Sequence, residues 1–372
     1  MTLNRALIAL VAGVALTACD AVRVPGADRE ETAPPPSADT SATPDTLPQV
    51  PATQERDTAE LDTMPTPGPA PEPEPPRPFV TDLTQINAAT CGLPETAEPT
   101  LTLAEFNDAA EVGPQPESLI QTQVVGVSLA VSSLDLFPGI VKMEPVNFNA
   151  VGDRSSGHCG ATRIAEQWFL TAAHCIDDGY QEINFIAGTV NVRDAESAKL
   201  FKAEAAICHA GYSGLDTAMI NDIALVKVSE ETLPIIRNIP IASYGATEET
   251  FSPENYGTPV MAGWGSTSYG SSPSPLLLST EVRLVSASPG VILVESVDGR
   301  GPCQGDSGGP LYVREDDGQQ RVVGVLSNVQ SARGSTPCAG AYRGQYTHVA
   351  GYVDWIDDVI DACAANDLLC RN

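Results

Sequence analysis

The chain has 372 residues, 42% of them apolar, and a net charge of −28. There is enough apolar material for one large domain or two smaller ones. An acidic surface repels nucleic acid, and no polybasic patch is present to hold a membrane, so neither partner class is expected on charge grounds. The acidity is uneven. Residues 1–123 carry 5 basic and 19 acidic side chains, a balance of −14, and the much longer remainder carries 15 and 29, also −14.

Residues 1–18 read as an export signal. Arg5 supplies the positive start, Ala6 to Leu16 a short apolar run, and Thr17 and Ala18 the small residues before a cut. The run is too short to span a bilayer comfortably. Leu16-Thr17-Ala18-Cys19 resembles the lipobox of bacterial lipoproteins. That resemblance implies that Cys19 is acylated and becomes the mature N-terminus, tethering the chain to a membrane of the bacterial envelope, from which it could also be released. Residues 19–78 follow as a linker. Fifteen of the fifty-four residues from Pro25 to Pro78 are proline, and Thr, Ala, Asp and Glu dominate the rest. Such a segment cannot bury enough apolar surface to offset ordering, so an extended, disordered spacer is expected, with a reach of about 150 Å. Residues 79–123 regain some apolar character (Phe79, Leu83, Ile86, Leu101, Leu103, Phe106) and contain Cys91. They read as a small pro-segment packed on the domain at 124–372.

From about residue 124 the texture becomes short β-like runs, such as Ile223 to Val228 and Arg321 to Ser327, punctuated by Gly, Ser and Pro. This predicts an all-β domain. One helix is predicted at the C-terminal end, with Val349, Tyr352, Val353, Ile356, Val359 and Ile360 on one face. Three motifs carry chemistry: Leu170-Thr171-Ala172-Ala173-His174-Cys175, Asn221-Asp222-Ile223-Ala224-Leu225, and Cys303-Gln304-Gly305-Asp306-Ser307-Gly308-Gly309-Pro310. A serine hydroxyl is a poor nucleophile at neutral pH and needs an adjacent base. Histidine suits that role, and a buried carboxylate fixes its tautomer and stabilises the imidazolium that forms.

Together the three motifs, in the order His, Asp, Ser, resemble the trypsin and chymotrypsin family of serine proteases. Gly263-Trp264-Gly265, Phe137-Pro138-Gly139-Ile140-Val141 and Tyr346-Thr347 support the resemblance, which covers roughly residues 124–362. It implies two six-stranded antiparallel β-barrels followed by a helix. It implies a secreted endopeptidase acting on protein and peptide substrates, with a monomeric catalytic domain and no cofactor. His174 would be the general base, Asp222 its orienting carboxylate and Ser307 the nucleophile. Backbone N–H groups of Gly305 and Ser307 would form the oxyanion hole.

The resemblance also implies disulfides between Cys159 and Cys175 and between Cys303 and Cys338. Cys91, Cys208, Cys363 and Cys370 remain. Cys91–Cys208 and Cys363–Cys370 are the expected pairs, although connectivity does not follow from sequence. No C-x-x-C pair exists and the four histidines are scattered, which argues against zinc. Family members are activated by a cut that frees an apolar N-terminus to pair with the aspartate before the nucleophile, here Asp306. Val124-Val125-Gly126-Val127 matches that start, with two departures: Gln123 precedes it, and Val127 replaces the second glycine. The specificity pocket is implied to have Gly301 at its base, Val329 and Gly344 on its walls, and Ser327-Asn328-Val329 as the strand that pairs with substrate backbone. Without a carboxylate at 301, burial of a substrate cation would be penalised. Small or medium aliphatic residues are therefore expected, as in elastases.

Two rival readings exist. Gly305-Asp306-Ser307-Gly308-Gly309 satisfies G-x-S-x-G, the nucleophile elbow of α/β-hydrolases. That fold needs a helix directly after the serine, whereas Gly308-Gly309-Pro310 cannot readily open one and Leu311-Tyr312-Val313 reads as a strand. The other rival is a catalytically silent relative acting as a binding module, which the complete set of motif residues argues against. His158, His209 and His348 lack comparable partners in sequence and read as loop or surface residues.

Overall fold

A computed structural model describes residues 80–91, 129–148, 154–177, 180–214, 219–245, 257–315, 318–331 and 338–371. The chain divides into two units at Pro73, and every described residue belongs to the second. The expected signal segment, the expected tether at Cys19, the proline-rich linker, residues 92–123 of the expected pro-segment and Val124 lie outside the described residues.

Among the described residues, the second unit is built on two β-sheets of nine strands each. Neighbouring strands are antiparallel, except that Ser243–Tyr244 runs parallel to Gln320–Ser331. The all-β architecture with a C-terminal helix is as expected. The strand count exceeds six per sheet in part because short strands of two or three residues, such as Ala88–Thr90 and Leu129–Ala130, pair at the margins.

The first sheet runs in the order Ala88–Thr90, Ala205–His209, Ala224–Lys227, Trp168–Thr171, Cys159–Arg163, Ile140–Phe148, Glu182–Ala187, Lys199–Lys202. Several of these strands are buried along their whole length, including Trp168–Thr171 and Ala224–Lys227. That explains why they read as continuous apolar runs rather than alternating ones. Phe185 stacks between Phe169 (centroids 4.9 Å apart) and Phe201 (5.2 Å) at the heart of this half. The second sheet carries Pro310–Arg314, Gln320–Ser331 and Tyr342–His348 side by side. A strand therefore begins at Pro310, directly after Gly309, which rules out the helix that the α/β-hydrolase reading requires.

The helix Val353–Ala365 closes the fold. Trp355, Ile356, Val359, Ala362 and Cys363 form its buried seam, so the face is rotated from the expected one and Val353 and Ile360 lie at its edge. Residues 80–91 pack onto the same body. Their strand adds to the edge of the first sheet through Ala89 opposite Cys208, Leu83 is buried, and Trp355 Nε1 donates to the Asn87 carbonyl at 3.2 Å. All four expected disulfides are present: Cys91–Cys208, Cys159–Cys175, Cys303–Cys338 and Cys363–Cys370, with Cα separations of 5.7, 6.4, 5.4 and 5.6 Å. Two histidines depart from expectation. His348 is a core residue with no exposed surface, its Nδ1 donating to the Ser288 carbonyl at 2.5 Å. Burial lowers the pKa of His348, while the Ser288 carbonyl acts the other way. His209 is half-buried against Tyr352 and Trp355.

Candidate active site

His174 lies in a short 3-10 turn, Ala173–Cys175, at the end of Trp168–Thr171. Asp222 stands two residues before the start of the neighbouring strand, Ala224–Lys227, and is fully buried. The register of those two strands brings the residues together. Asp222 Oδ2 accepts from His174 Nδ1 at 2.8 Å, and Asp222 Oδ1 accepts from the His174 backbone N–H at 2.9 Å. This two-point contact fixes the ring's position, and a carboxylate facing Nδ1 favours a proton on that nitrogen. Nε2 sits 3.8 Å from Cys175 Sγ. Asp222 follows Asn221, which takes a left-handed conformation at φ 56°.

The second sheet contributes two further partners to Asp222. Ser327 Oγ donates to Oδ2 at 2.6 Å, and Thr347 Oγ1 donates to the Asp222 carbonyl at 2.7 Å. The sequence implies only a backbone role for Ser327. Its hydroxyl is a buried donor to a buried carboxylate, and it couples the two halves of the fold. Its position at the end of an apolar run was the only signal in sequence.

Ser307 is partly exposed on the turn between Cys303 and Pro310. Its carbonyl accepts from Gly160 N at 2.7 Å, and the next residue's N–H donates to Leu326 O at 2.8 Å. Gly308, at φ 72°, lies against Thr171 and Ala172, so that a Cβ there would collide with Thr171 Oγ1. The serine turn is thus pressed onto the strand end that carries His174. The structure forms no hydrogen bond between Ser307 Oγ and Nε2. Catalytic contacts of this kind are commonly long in the unliganded state. Gly305 has φ 91°, a conformation that a side chain would strain.

Asp306 points the opposite way from Ser307, into the protein. It accepts from Gly265 N at 2.8 Å and from Cys303 N at 3.0 Å. Burial pushes its carboxyl up to about 6, against the effect of those two hydrogen bonds. A Cβ on Gly263 or Gly265 would run into this carboxylate. The Gly263-Trp264-Gly265 motif is therefore the socket for Asp306, a role not assigned from sequence.

The expected specificity residues also converge. Val329 and Gly344 are cross-strand partners, as are Asn328 and Gln345. A Cβ on Gly344 would lie 2.8 Å from Pro302 Cγ, and one on Gly301 would lie 3.0 Å from Tyr342 Oη. Pro302 and Tyr342 thus narrow this region, and neither was singled out from sequence. The Cys303–Cys338 bond ties its two sides together. Cys159, His174 and Cys175 also cluster closely enough to suggest a metal, but the two sulfurs are bonded to each other and are not thiolate ligands.

Comparison with known proteins places the chain in a family. A family model described as Trypsin matches residues 141–356. The chain belongs to the trypsin family. Its relatives include fibrinolytic enzyme, isozyme C, of Lumbricus rubellus, 32% identical over 222 residues, which is 55% of this chain and 88% of that protein. Brachyurin of Leptuca pugilator is 28% identical over 210 residues, 53% and 85% of the two chains. CLIP domain-containing serine protease B4 of Anopheles gambiae is 31% identical over 261 residues, 62% and 68%. Family membership makes the protein a relative of peptide-cleaving hydrolases, and its four disulfides suit an oxidising compartment.

Proposed function

We propose that the chain is an exported serine endopeptidase in which Ser307, His174 and Asp222 act as nucleophile, general base and orienting carboxylate. The observation that carries this reading is the doubly bonded His174–Asp222 pair beside the Ser307 turn. Ser307 Oγ attacks the scissile carbonyl while His174 Nε2 takes its proton. The carbonyl oxygen becomes an oxyanion held by the N–H groups of Gly305 and Ser307, each donor contributing about 3 kcal/mol to the transition state. Collapse expels the amine, which leaves with the proton from His174. Water then repeats the two steps on the acyl ester.

Activation follows from Asp306. A buried carboxylate held only by neutral donors is costly, and a terminal ammonium in the same socket would offset that cost. Cleavage before Val124 would supply one. Gln123 at that junction means that an enzyme of trypsin-like specificity would not make the cut. The narrow region around Gly301, Val329 and Gly344 supports a preference for small or medium aliphatic residues before the scissile bond. The tether at Cys19 and the linker would hold the catalytic unit on the bacterial envelope. Residues 79–123 would act as the pro-segment, with Cys91–Cys208 keeping them attached after cleavage.

A peptide library with each residue in turn before the scissile bond tests the reading. Ala and Val should dominate, with discrimination between neighbours of one methylene at about 1–3 kcal/mol. Dominant cleavage after Arg or Lys would refute the pocket assignment.

A further inference from the structure

Residues 80–91 stand outside the region matched by the family model, which begins at residue 141, yet they are built into the same body. Leu83–Ile86 forms a single 3-10 turn, with Leu83 buried and Ile86 packed on the core of the first half. Asn87 then takes a left-handed conformation, φ 52°, which a residue with a side chain adopts at a cost. The chain leaves that turn along the edge of Ala205–His209, with Ala88 fully buried, and Cys91 closes onto Cys208. Covering a sheet edge accounts for the strand Ala88–Thr90. It does not account for the left-handed turn before it.

That turn aims the Asn87 carbonyl into the protein, where it accepts from Ala210 N at 2.6 Å and from Trp355 Nε1 at 3.2 Å. Ala210 belongs to a turn at 209–212, closed by Tyr212 N donating to the His209 carbonyl at 2.9 Å. Within it, Gly211 N donates to His209 Nδ1 at 3.1 Å. The Gly211 carbonyl accepts from Asn221 Nδ2 at 2.8 Å, and Asn221 Oδ1 accepts from Tyr352 Oη at 2.9 Å. A Cβ on Gly211 would stand 2.8 Å from Asn221 Nδ2, so the turn and the asparagine are packed closely. Asn221, left-handed at φ 56°, is the residue directly before Asp222. One carbonyl of the N-terminal segment thus reaches the catalytic carboxylate's neighbour through a single turn. The same carbonyl holds Trp355, whose ring and that of Tyr352 both lie against His209. Left-handed residues persist where their surroundings over-determine them, and both Asn87 and Asn221 lie in this one network.

We propose that residues 80–91 are a positioning element of the active site that is retained after processing. Held by Cys91–Cys208, they press the Asn87 carbonyl onto the turn at 209–212, which fixes Asn221 and so keeps Asp222 aimed at His174. The inference rests on the endopeptidase reading. It gives the segment more to do than stay attached: its removal alters the chemical step. None of these residues touches substrate, so the effect falls on kcat rather than on KM. Asp222 keeps its bonds from His174, Ser327 and Thr347 when the segment leaves, so the loss is partial.

The test compares processed wild type with a processed Cys91→Ser/Cys208→Ser form. Both are gel-filtered, checked by mass for the segment, and assayed on one peptide amide, with kcat expressed per site titrated by a fluorophosphonate. A loss of stability alone lowers the number of titrated sites and not the rate per site. Wild type should keep the segment. The double variant should lose it and, with it, about tenfold in kcat, with KM little changed. A synthetic peptide of residues 80–91 with Cys91→Ser should restore the rate. The same peptide with Asn87→Gly, which takes the left-handed turn without steric cost, should also restore it, and one with Asn87→Val should not. Undiminished kcat per site after the segment has left, a fall that no peptide restores, or equal rescue by the Asn87→Val peptide would overturn the inference. If the segment stays bound without its disulfide, or its loss leaves no titratable sites, the two Asn87 substitutions in the disulfide-linked chain decide. Full kcat in Asn87→Gly with a fall in Asn87→Val supports the inference, and any other result overturns it. Failure of wild type both to turn over the amide and to react with the fluorophosphonate would overturn the endopeptidase reading itself.

Discussion

The sheet that presents His174 and Asp222 and the sheet that leads into and out of Ser307 are held in different ways. The first is filled by the Phe169–Phe185–Phe201 stack, and its core continues across the interface to Tyr312, Val322 and the C-terminal helix. The second has a separate cluster of nine buried residues around Ile292, Leu311 and Tyr346, and strands such as Arg283–Ala287 remain largely uncovered. Left-handed backbone occurs in both halves, at Met219 and Asn221 before Asp222 as well as around the nucleophile turn and the pocket. Asp298, Gly299, Gly305, Gly308, Cys338 and Gly340 all have positive φ. The base and its carboxylate thus stand in the half with the larger continuous core, whereas the nucleophile turn and the pocket also depend on the Asp306 socket. Preorganisation in the two halves has different physical sources, and each can be disturbed separately.

Substitutions at the His174–Asp222 pair should give the largest effect. Asp222→Asn keeps the shape but lets His174 adopt the wrong tautomer, and kcat should fall about 10⁴-fold, with KM little changed, in steady-state assays. Next comes the core of the first half. Phe185→Ala should destabilise by about 3–5 kcal/mol in denaturant melts, whereas Leu284→Ala, at the margin of the second core, should cost about 1 kcal/mol or less. A similar cost at both positions would remove the contrast between the halves.

The Asp306 socket gives a pH signature. The unfolded carboxyl titrates near 3.8 and the folded one near 6, so the folded state holds its proton more tightly. The contribution of Asp306 to the stability of the uncut chain should therefore be fully present below about 4 and be lost, by about 3 kcal/mol, as pH rises through 6. Processed protein, with an ammonium beside Asp306, should show no such loss. Urea melts of both forms across that window decide the matter. Ser327→Ala should have a smaller effect: removal of one buried donor to Asp222 should lower kcat about tenfold without loss of fold, as read by circular dichroism. Val329→Gly should be smallest in overall rate, while shifting the library preference toward larger side chains.

Much of this was legible in the chain. His174, Asp222 and Ser307 each sit in a motif whose neighbours are dictated by the site: Ala172 and Ala173 where space is tight, Gly308 where Thr171 presses close, and Gly305 where φ is positive. The β-rich texture was equally readable, because short buried strands leave few polar residues between turns. What escaped were contacts between residues remote in sequence. The hydroxyl of Ser327 meets Asp222 from 105 residues away, and Tyr342 reaches Gly301 from another strand. His348 gave no hint of full burial, since its acceptor is a backbone carbonyl at Ser288 that no side-chain pattern reveals. The extra edge strand at Ala88–Thr90 is too short to announce itself by alternation.

The central claim is that one hydroxyl in the chain is activated by one imidazole. Labelling of processed protein with a fluorophosphonate, followed by peptide mass mapping, tests it most directly. The account predicts a single adduct on Ser307 that disappears in Ser307→Ala and is slowed by orders of magnitude in His174→Ala. An adduct on another serine, or undiminished labelling without His174, would contradict it.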